Sequence, residues 1–173
     1  MGIKMKMSGG DKMEQFLQEL SEKISTGAVL SVGFPEGATE EDGTPTAMAA
    51  AMNEFGHTVE VKHPHTEMAN GQMVEVMGTY FQAPRPFFRN MINKGSKHWG
   101  PDLGKLLVAC HYDAHMALDQ LGHEMVGELV ESINELWTPP LAPSTIAAKG
   151  FDKPLINKGD MWKSATHFVE DET

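Results

Sequence analysis

The segment "LGHEMVGELVESINELW", Leu121 to Trp137, decides the fold because it lies in the longest periodic apolar pattern of the chain. Large apolar side chains recur there every three or four residues, and the same spacing extends upstream to Leu103. This period predicts a helix with one buried face from about Asp102 to Trp137. Gly122 is the expected place for any division of this helix, since an interior glycine costs about 1 kcal/mol relative to alanine.

Downstream, Pro139 and Pro140 end this helix, and the chain continues to Ser164 as "PPLAPSTIAAKGFDKPLINKGDMWKS". Proline reduces the conformational entropy that a segment loses when it docks. The pattern predicts an extended arm over residues 138–173, ending in a strand, that is needed for assembly more than for the fold. Its anchors, which could contact this subunit or a neighbour, are Pro139, Leu141, Ile146, Phe151, Leu155 and Trp162.

Upstream, shorter patterns predict mixed secondary structure. "DKMEQFLQELSEKIST" (residues 11–26) has helical spacing, "AVLSVGF" (28–34) is typical of a strand, and "TAMAAAMNEF" (46–55) predicts a second helix. Alternating residues from about Thr58 to Gly78 predict a β-hairpin. We therefore expect one α+β domain over residues 1–173, with a small antiparallel sheet packed against an N-terminal helix and the long central helix.

The composition narrows the functional class. The formal charge is −10 and the chain has two arginines, which argues against tight binding of nucleic-acid phosphates. Cys110 is the single cysteine, so an internal disulfide is excluded and a reducing compartment is expected. Neither a run of about 18 apolar residues nor a signal-peptide core is present, which predicts a soluble protein made in a cytoplasm.

Three histidines raise the question of a metal site. His111 and His115 are four residues apart, as in zinc hydrolases, and His123 follows nearby. Those enzymes place a general-base glutamate directly after the first histidine, whereas this chain has Tyr112 there. The sequence therefore favours surface or packing roles, with no metal, cofactor or catalytic residue. A metal-dependent hydrolase using His111, His115 and His123 is the alternative function.

The stretch "APRPFFR" contains both arginines of the chain, between prolines and aromatic residues. Arginine and aromatic side chains are enriched at interface hot spots. Arg85, Phe87, Phe88 and Arg89 are therefore candidate subunit-interface residues, and the competing interpretation places Phe87 or Phe88 in the core.

A stripe of carboxylates follows the predicted central helix. No lysine lies four residues after any of its members, so the like charges repel one another. A solvated face, a wall facing a DNA channel and a contact with a basic partner are the three interpretations. The stripe consists of Glu124, Glu128, Glu131 and Glu135.

Four segments occur in an order that resembles a known family. They are "NEFG" (53–56), "PRPFFR" (84–89), "LGHEMVGELVESI" (121–133) and the closing segment from Pro139 to Ser164. Together they resemble the tail-completion and virion-morphogenesis proteins of tailed bacteriophages, a group that includes head–tail joining and minor tail proteins. The resemblance runs from about Asn53 to Val169, and its closing segment is the most specific part.

The resemblance implies a small α+β fold and a structural, non-enzymatic role in the virion. It implies a ring of subunits, hexameric in this family, at the head–tail junction or the tail terminus. Neighbouring neck, head-closure or tail-tube proteins would contact the ring, and DNA would pass nearby without sequence-specific binding. The hairpin from Thr58 to Gly78 departs from the pattern, because relatives often join the flanking motifs through a much shorter link.

Overall fold

The computed structural model describes residues 10–25, 27–69, 71–156 and 160–171, and it confirms the α+β fold class. The described helices are α1 Gly10–Ser25, α2 Thr46–Phe55, α3 Phe87–Gly95, α4 Trp99–Ala109, α5 Ala114–Glu135, α6 Pro143–Lys149 and α7 Asp160–Lys163. The strands are β1 Ala28–Gly33, β2 His57–Ala69, β3 Gln72–Gln82 and β4 Thr166–Asp171.

The core lies between α5, α3 and the closing part of the chain. Phe87 of α3 and Leu129 and Ile133 of α5 are completely buried. The hydroxyl of Ser132, also buried, donates a hydrogen bond of 2.7 Å to the carbonyl of Phe87, which satisfies a polar group inside this core. The apolar face predicted from the three-and-four spacing is therefore the face of α5 that the other elements cover.

Two separate two-stranded antiparallel sheets flank this core. In the first, β1 pairs with β4, from Ala28 opposite Asp171 to Gly33 opposite Thr166, and both strands contact α5. In the second, β2 pairs with β3 to form the hairpin. The pairing of β1 with β4 joins the early part of the chain to its last described residues.

The long helical region divides at residues 110–113, whereas the expected place was Gly122. His111 and Tyr112 adopt left-handed backbone angles, with φ of 52° and 61°, which α-helical hydrogen bonding cannot continue through. Asp113 then caps α5 by accepting a hydrogen bond of 3.0 Å from the backbone N–H of Met116. The periodic apolar spacing crosses this turn unbroken, so it did not reveal the division.

Gly122 lies inside α5 because the β1–β4 sheet approaches the helix closely there. A Cβ atom at this position would lie 2.3 Å from Cδ2 of His167 and 2.9 Å from Cδ1 of Leu30. Those distances are far below van der Waals contact. The glycine therefore provides room for a neighbouring side chain, and its conformational freedom is not used.

The hairpin is longer than the predicted range of Thr58 to Gly78, since β2 runs from His57 to Ala69 and β3 from Gln72 to Gln82. The pairing shifts register between Val61 and His65, around Pro64, a residue that has no N–H to donate. Several large apolar side chains of the hairpin are exposed, namely Met73, Val74, Met77, Tyr80 and Phe81.

The closing arm packs on its own subunit at several points. Pro154 and Met161 are buried, and Leu155 and Trp162 pack against the core. The arm also supplies β4, one of the two strands of the first sheet. The arm therefore contributes to the fold of its own subunit, and its role in assembly stays a prediction.

Candidate functional site

The motif "NEFG" contacts the motif "PRPFFR" through Glu54, a buried carboxylate. Glu54 Oε2 accepts a hydrogen bond of 2.9 Å from the backbone N–H of Phe88, and Oε1 accepts one of 3.3 Å from that of Arg89. The Arg89 Nε–H donates to Oε1 at 2.7 Å. Glu54 thus satisfies free N–H groups at the start of α3 and balances a guanidinium charge.

Arg85 connects the same junction to the proline pair that follows α5. Its backbone N–H donates a hydrogen bond of 2.7 Å to the carbonyl of Asn53. Its guanidinium donates long hydrogen bonds to the carbonyls of Pro139 at 3.4 Å and Pro140 at 3.5 Å. Burial lowers the pKa of Arg85, although its ordinary value is so high that the side chain remains charged. Three of the four quoted motifs therefore meet at one place.

The four residues predicted as a subunit interface divide into two kinds. Phe87 and Arg85 are buried within the subunit, so their prediction as surface contacts is corrected. The start of α3 turns Phe87 towards α5 and Arg85 towards the prolines. Phe88 is half-buried with its ring edge-on to Phe34 at 5.9 Å, and about half of the Arg89 side chain is exposed. Only Phe88 and Arg89 keep surface that a neighbour could contact.

Among the predicted arm anchors, one is exposed and the others are half-buried. Phe151 is exposed, and the ammonium of Lys149 lies 4.6 Å from the centre of its ring. Leu155 and Trp162 pack against the core, as described above. The remaining half-buried anchors are Pro139, Leu141 and Ile146.

The acidic stripe of α5 is partly paired, by groups that α4 and the turn before it contribute. Glu128 Oε2 accepts a hydrogen bond of 2.9 Å from the indole N–H of Trp99. Its other oxygen lies 3.2 Å from Nε2 of His98. The first turn of α4 is therefore held against α5 by Glu128.

Glu135 forms an ion pair with Lys94 of α3. The hydrogen bond that Lys94 donates to Glu135 raises the pKa of Lys94, and the charge of Glu131 adds a smaller contribution in the same direction. Glu124 likewise adds to the raised pKa of Lys105, whose main cause is the hydrogen bond to Asp102. The spacing along α5 alone could not predict these cations, because Lys94 belongs to α3 and Lys105 to α4.

Among the described residues, His111, His115 and His123 of the alternative function do not form a metal-ligand cluster. His111 lies in the turn before α5, so it does not share a helix face with His115. In the described part of the chain, two other groups bring their ligand atoms within 4.8 Å of one another: Asp119 with His123 and His167, and His98 with Glu124 and Glu128. The spacing of four between Asp119 and His123 was visible in the sequence, but the position of His167 was not.

Apolar side chains are also exposed on α1. Met13, Phe16 and Leu17 each leave about half or more of their surface in water. Helix α1 contacts the turn after α4, where Phe16 meets the Tyr112 ring at 6.4 Å and Lys23 donates to the His111 carbonyl at 3.2 Å. These apolar side chains of α1 are therefore largely uncovered by the described residues.

An apolar groove of about 420 Å³ runs between α2, α3 and the end of β1. Its walls include Phe34, Ala47, Ala51, Phe55, Phe88 and Ile92. Glu54 and Arg89 also line it, so the groove adjoins the junction of the motifs.

Comparison of the chain with protein-family models, with curated proteins and with solved structures finds no match. Of the helices in the described part of the chain, none combines the length and the apolar character needed to cross a membrane.

Proposed function

We propose that the protein is a structural component of a tailed-phage virion, a tail-completion or tail-terminator adaptor that forms a ring at the head–tail junction. The order of the four motifs supports the family. The observation that best supports a function in assembly is the long hairpin, whose strand β3 exposes apolar side chains to water. In this proposal neighbouring neck, head-closure or tail-tube proteins contact the ring, and DNA passes without being bound.

The hairpin has the features of a surface that a partner covers. An isolated two-stranded hairpin is at best marginally stable in water. This one has strands of 13 and 11 residues that pair with each other and, among the described residues, with no further strand. Its outer edges and its exposed side chains, such as Met73 and Met77, suit the addition of a neighbouring chain.

A ring requires a contact between two different surfaces of identical subunits. The hairpin and the exposed face of α1 supply one kind of surface, and the groove beside Phe88 and Arg89 supplies another. A head-to-tail contact between unlike surfaces closes when the rotation between subunits permits it. Six copies are proposed from the family resemblance.

The overall charge is compatible with a channel that lets DNA slide, since a subunit with a charge of −10 does not retain phosphates through counterion release. The acidic stripe is a weaker candidate for the channel wall. Glu128 and Glu135 are engaged by α4 and α3, which favours a role in holding these helices on α5.

Complementation of a phage that lacks this gene tests the proposal. The wild-type protein supplied in trans should restore joined heads and tails in electron micrographs. A triple variant of the hairpin, Met73→Thr with Val74→Thr and Met77→Thr, should fold normally by circular dichroism but leave heads and tails separate, because threonine keeps strand propensity and removes the apolar contact.

Val108→Thr is the matched control, since Val108 is equally exposed on α4, away from the hairpin. It should restore joining as well as the wild type does. Complete, infectious particles formed without the protein would contradict the proposed function.

A further inference from the structure

We infer that Asp119, His123 and His167 form a binding site for a divalent metal ion of the zinc type, and that this ion clamps β4 to α5. The inference is independent of the proposed role in the virion, because the two functions use different surfaces. It also differs from the hydrolase alternative, whose His111 and His115 lie outside this cluster.

The distances between the donor atoms fit such an ion. Nε2 of His167 lies 2.9 Å from Oδ1 of Asp119, and Nε2 of His123 lies 3.9 Å from Oδ2 of the same carboxylate. Ligands bound to zinc at its usual bond lengths are separated by about 3.3 Å in a tetrahedron. The observed separations lie on either side of that value, so small side-chain rotations are enough to bind the ion.

The three ligands stand on regular secondary structure. Asp119 and His123 are four residues apart on α5 and therefore share a face. His167 lies on β4, opposite Val32 of β1, and its ring meets that of His123 at a centroid distance of 4.5 Å. Gly122 gives His167 the space to reach the helix. The site is thus built by the packing of the sheet on α5.

The burial and the charge of the ligands suit metal binding. Only 9% of the His167 side chain is exposed, whereas Asp119 and His123 face solvent, so an ion can enter from one side and keep water on its open positions. The hydrogen bond with His167 lowers the pKa of Asp119, with smaller contributions from the charges of His123 and His115.

Two imidazoles and one carboxylate are a ligand set suited to zinc and to related borderline ions. The second cluster, His98 with Glu124 and Glu128, is a poorer candidate. Its Glu128 accepts from Trp99, and its His98 contacts Asp102 at 2.9 Å, so these groups already serve the contact between α4 and α5.

The test is a titration of the metal-free, full-length protein with zinc chloride, in which isothermal calorimetry measures the binding. We expect one ion per chain at this site and a rise in the thermal midpoint, because an ion that binds the folded state stabilises it. The variant His123→Ala should bind at least about tenfold more weakly and lose the rise in the midpoint. His123 is exposed, so this variant is expected to fold.

His111→Ala is the matched control, since it removes another exposed histidine from the turn before the same helix. It should bind zinc and shift the thermal midpoint as the wild type does. Binding that is unchanged in His123→Ala, or a wild-type protein whose thermal midpoint zinc does not raise, would overturn the inference. In either case the contact between Asp119 and His167 would be a hydrogen bond alone.

Discussion

The body around α5 and the β2–β3 hairpin differ in how deeply their apolar side chains are buried. Phe87 of the body is enclosed between α3 and α5, while Phe81 of the hairpin leaves 64% of its surface in water. Both regions expose some apolar residues, yet among the described residues all the fully buried ones belong to the body. From this difference we expect the body to fold without the hairpin and the apolar residues of the hairpin to contact other molecules.

The polar contacts follow the same division. Glu54 and Ser132, two buried polar residues of the body, have partners from distant segments. Such satisfied contacts fix one packing arrangement, because a buried group without its partner is costly. The hairpin is fixed mainly by its own ladder of backbone hydrogen bonds. Changes in the body should therefore affect stability, and changes in the hairpin should affect assembly.

Removing the closing arm should have the largest effect. A chain that ends at Leu136 loses β4 and the buried Met161, so β1 is left unpaired and the core is opened. We expect this chain to lose its cooperative thermal transition, measured by circular dichroism. Replacing residues 59–80 with a short glycine–serine link is the comparison, and it should leave the transition of the body in place. A truncated chain that unfolds as cooperatively as the full protein would refute the role of the arm in the body.

Glu54→Ala should have the next largest effect. The substitution leaves two N–H groups at the start of α3 without their acceptor and removes the partner of Arg89, so we expect a loss of about 2–3 kcal/mol in the free energy of unfolding. Urea denaturation measures the change. Glu60→Ala, on the exposed face of the hairpin, should alter stability by less than about 0.5 kcal/mol. Equal losses of stability in the two variants would contradict the greater contribution of the body to stability.

Two glycines of α5 provide a finer test. Gly122→Ala should destabilise the protein by about 1–3 kcal/mol, because the new Cβ overlaps the ring of His167. Gly127→Ala meets open space and should stabilise the helix by up to about 1 kcal/mol, since alanine is the better helix former. The two variants separate the effect of packing against the sheet from the effect of helix propensity within α5. If both variants were stabilising, the sheet would not approach α5 as closely as described.

The smallest expected effect is on the loss of thermal stability at acidic pH. The hydrogen bonds from Lys105 and then His98 lower the pKa of Asp102 below its ordinary value of 3.8. A lowered pKa in the folded state contributes stability above the ordinary pKa, and that contribution is lost as the pH falls through the folded value. Thermal midpoints measured between neutral pH and pH values below 3.8 should therefore fall less steeply in Asp102→Asn than in the wild type. An identical slope in the two proteins would exclude this contribution.

Local patterns predicted several elements well. Helix α2 begins and ends where its pattern does, and β1 differs from its pattern by one residue. These elements have strong periodicity and clear turn residues at their ends. The division at His111 and Tyr112 was missed, because left-handed angles at these residues are not a local preference.

The candidate sites depended on contacts between distant segments. Glu54 lies 35 residues from Arg89, and Asp119 lies 48 residues from His167, so neither pair has a local signature. The motif order included "NEFG" and "PRPFFR", and the structure brings these two motifs into contact. It could not indicate that Phe87 faces inward, because a helix start next to two prolines can turn either aromatic residue towards the core.

We propose that the uncovered surfaces of the folded body and its hairpin assemble identical subunits into a closed ring. Native mass spectrometry of the purified full-length protein, together with its copy number in purified virions, tests this claim most directly. We predict one discrete closed oligomer, six subunits by the family resemblance, with the same number of copies in each virion. A protein that stays monomeric at every concentration and is present as a single copy in the virion would contradict the account.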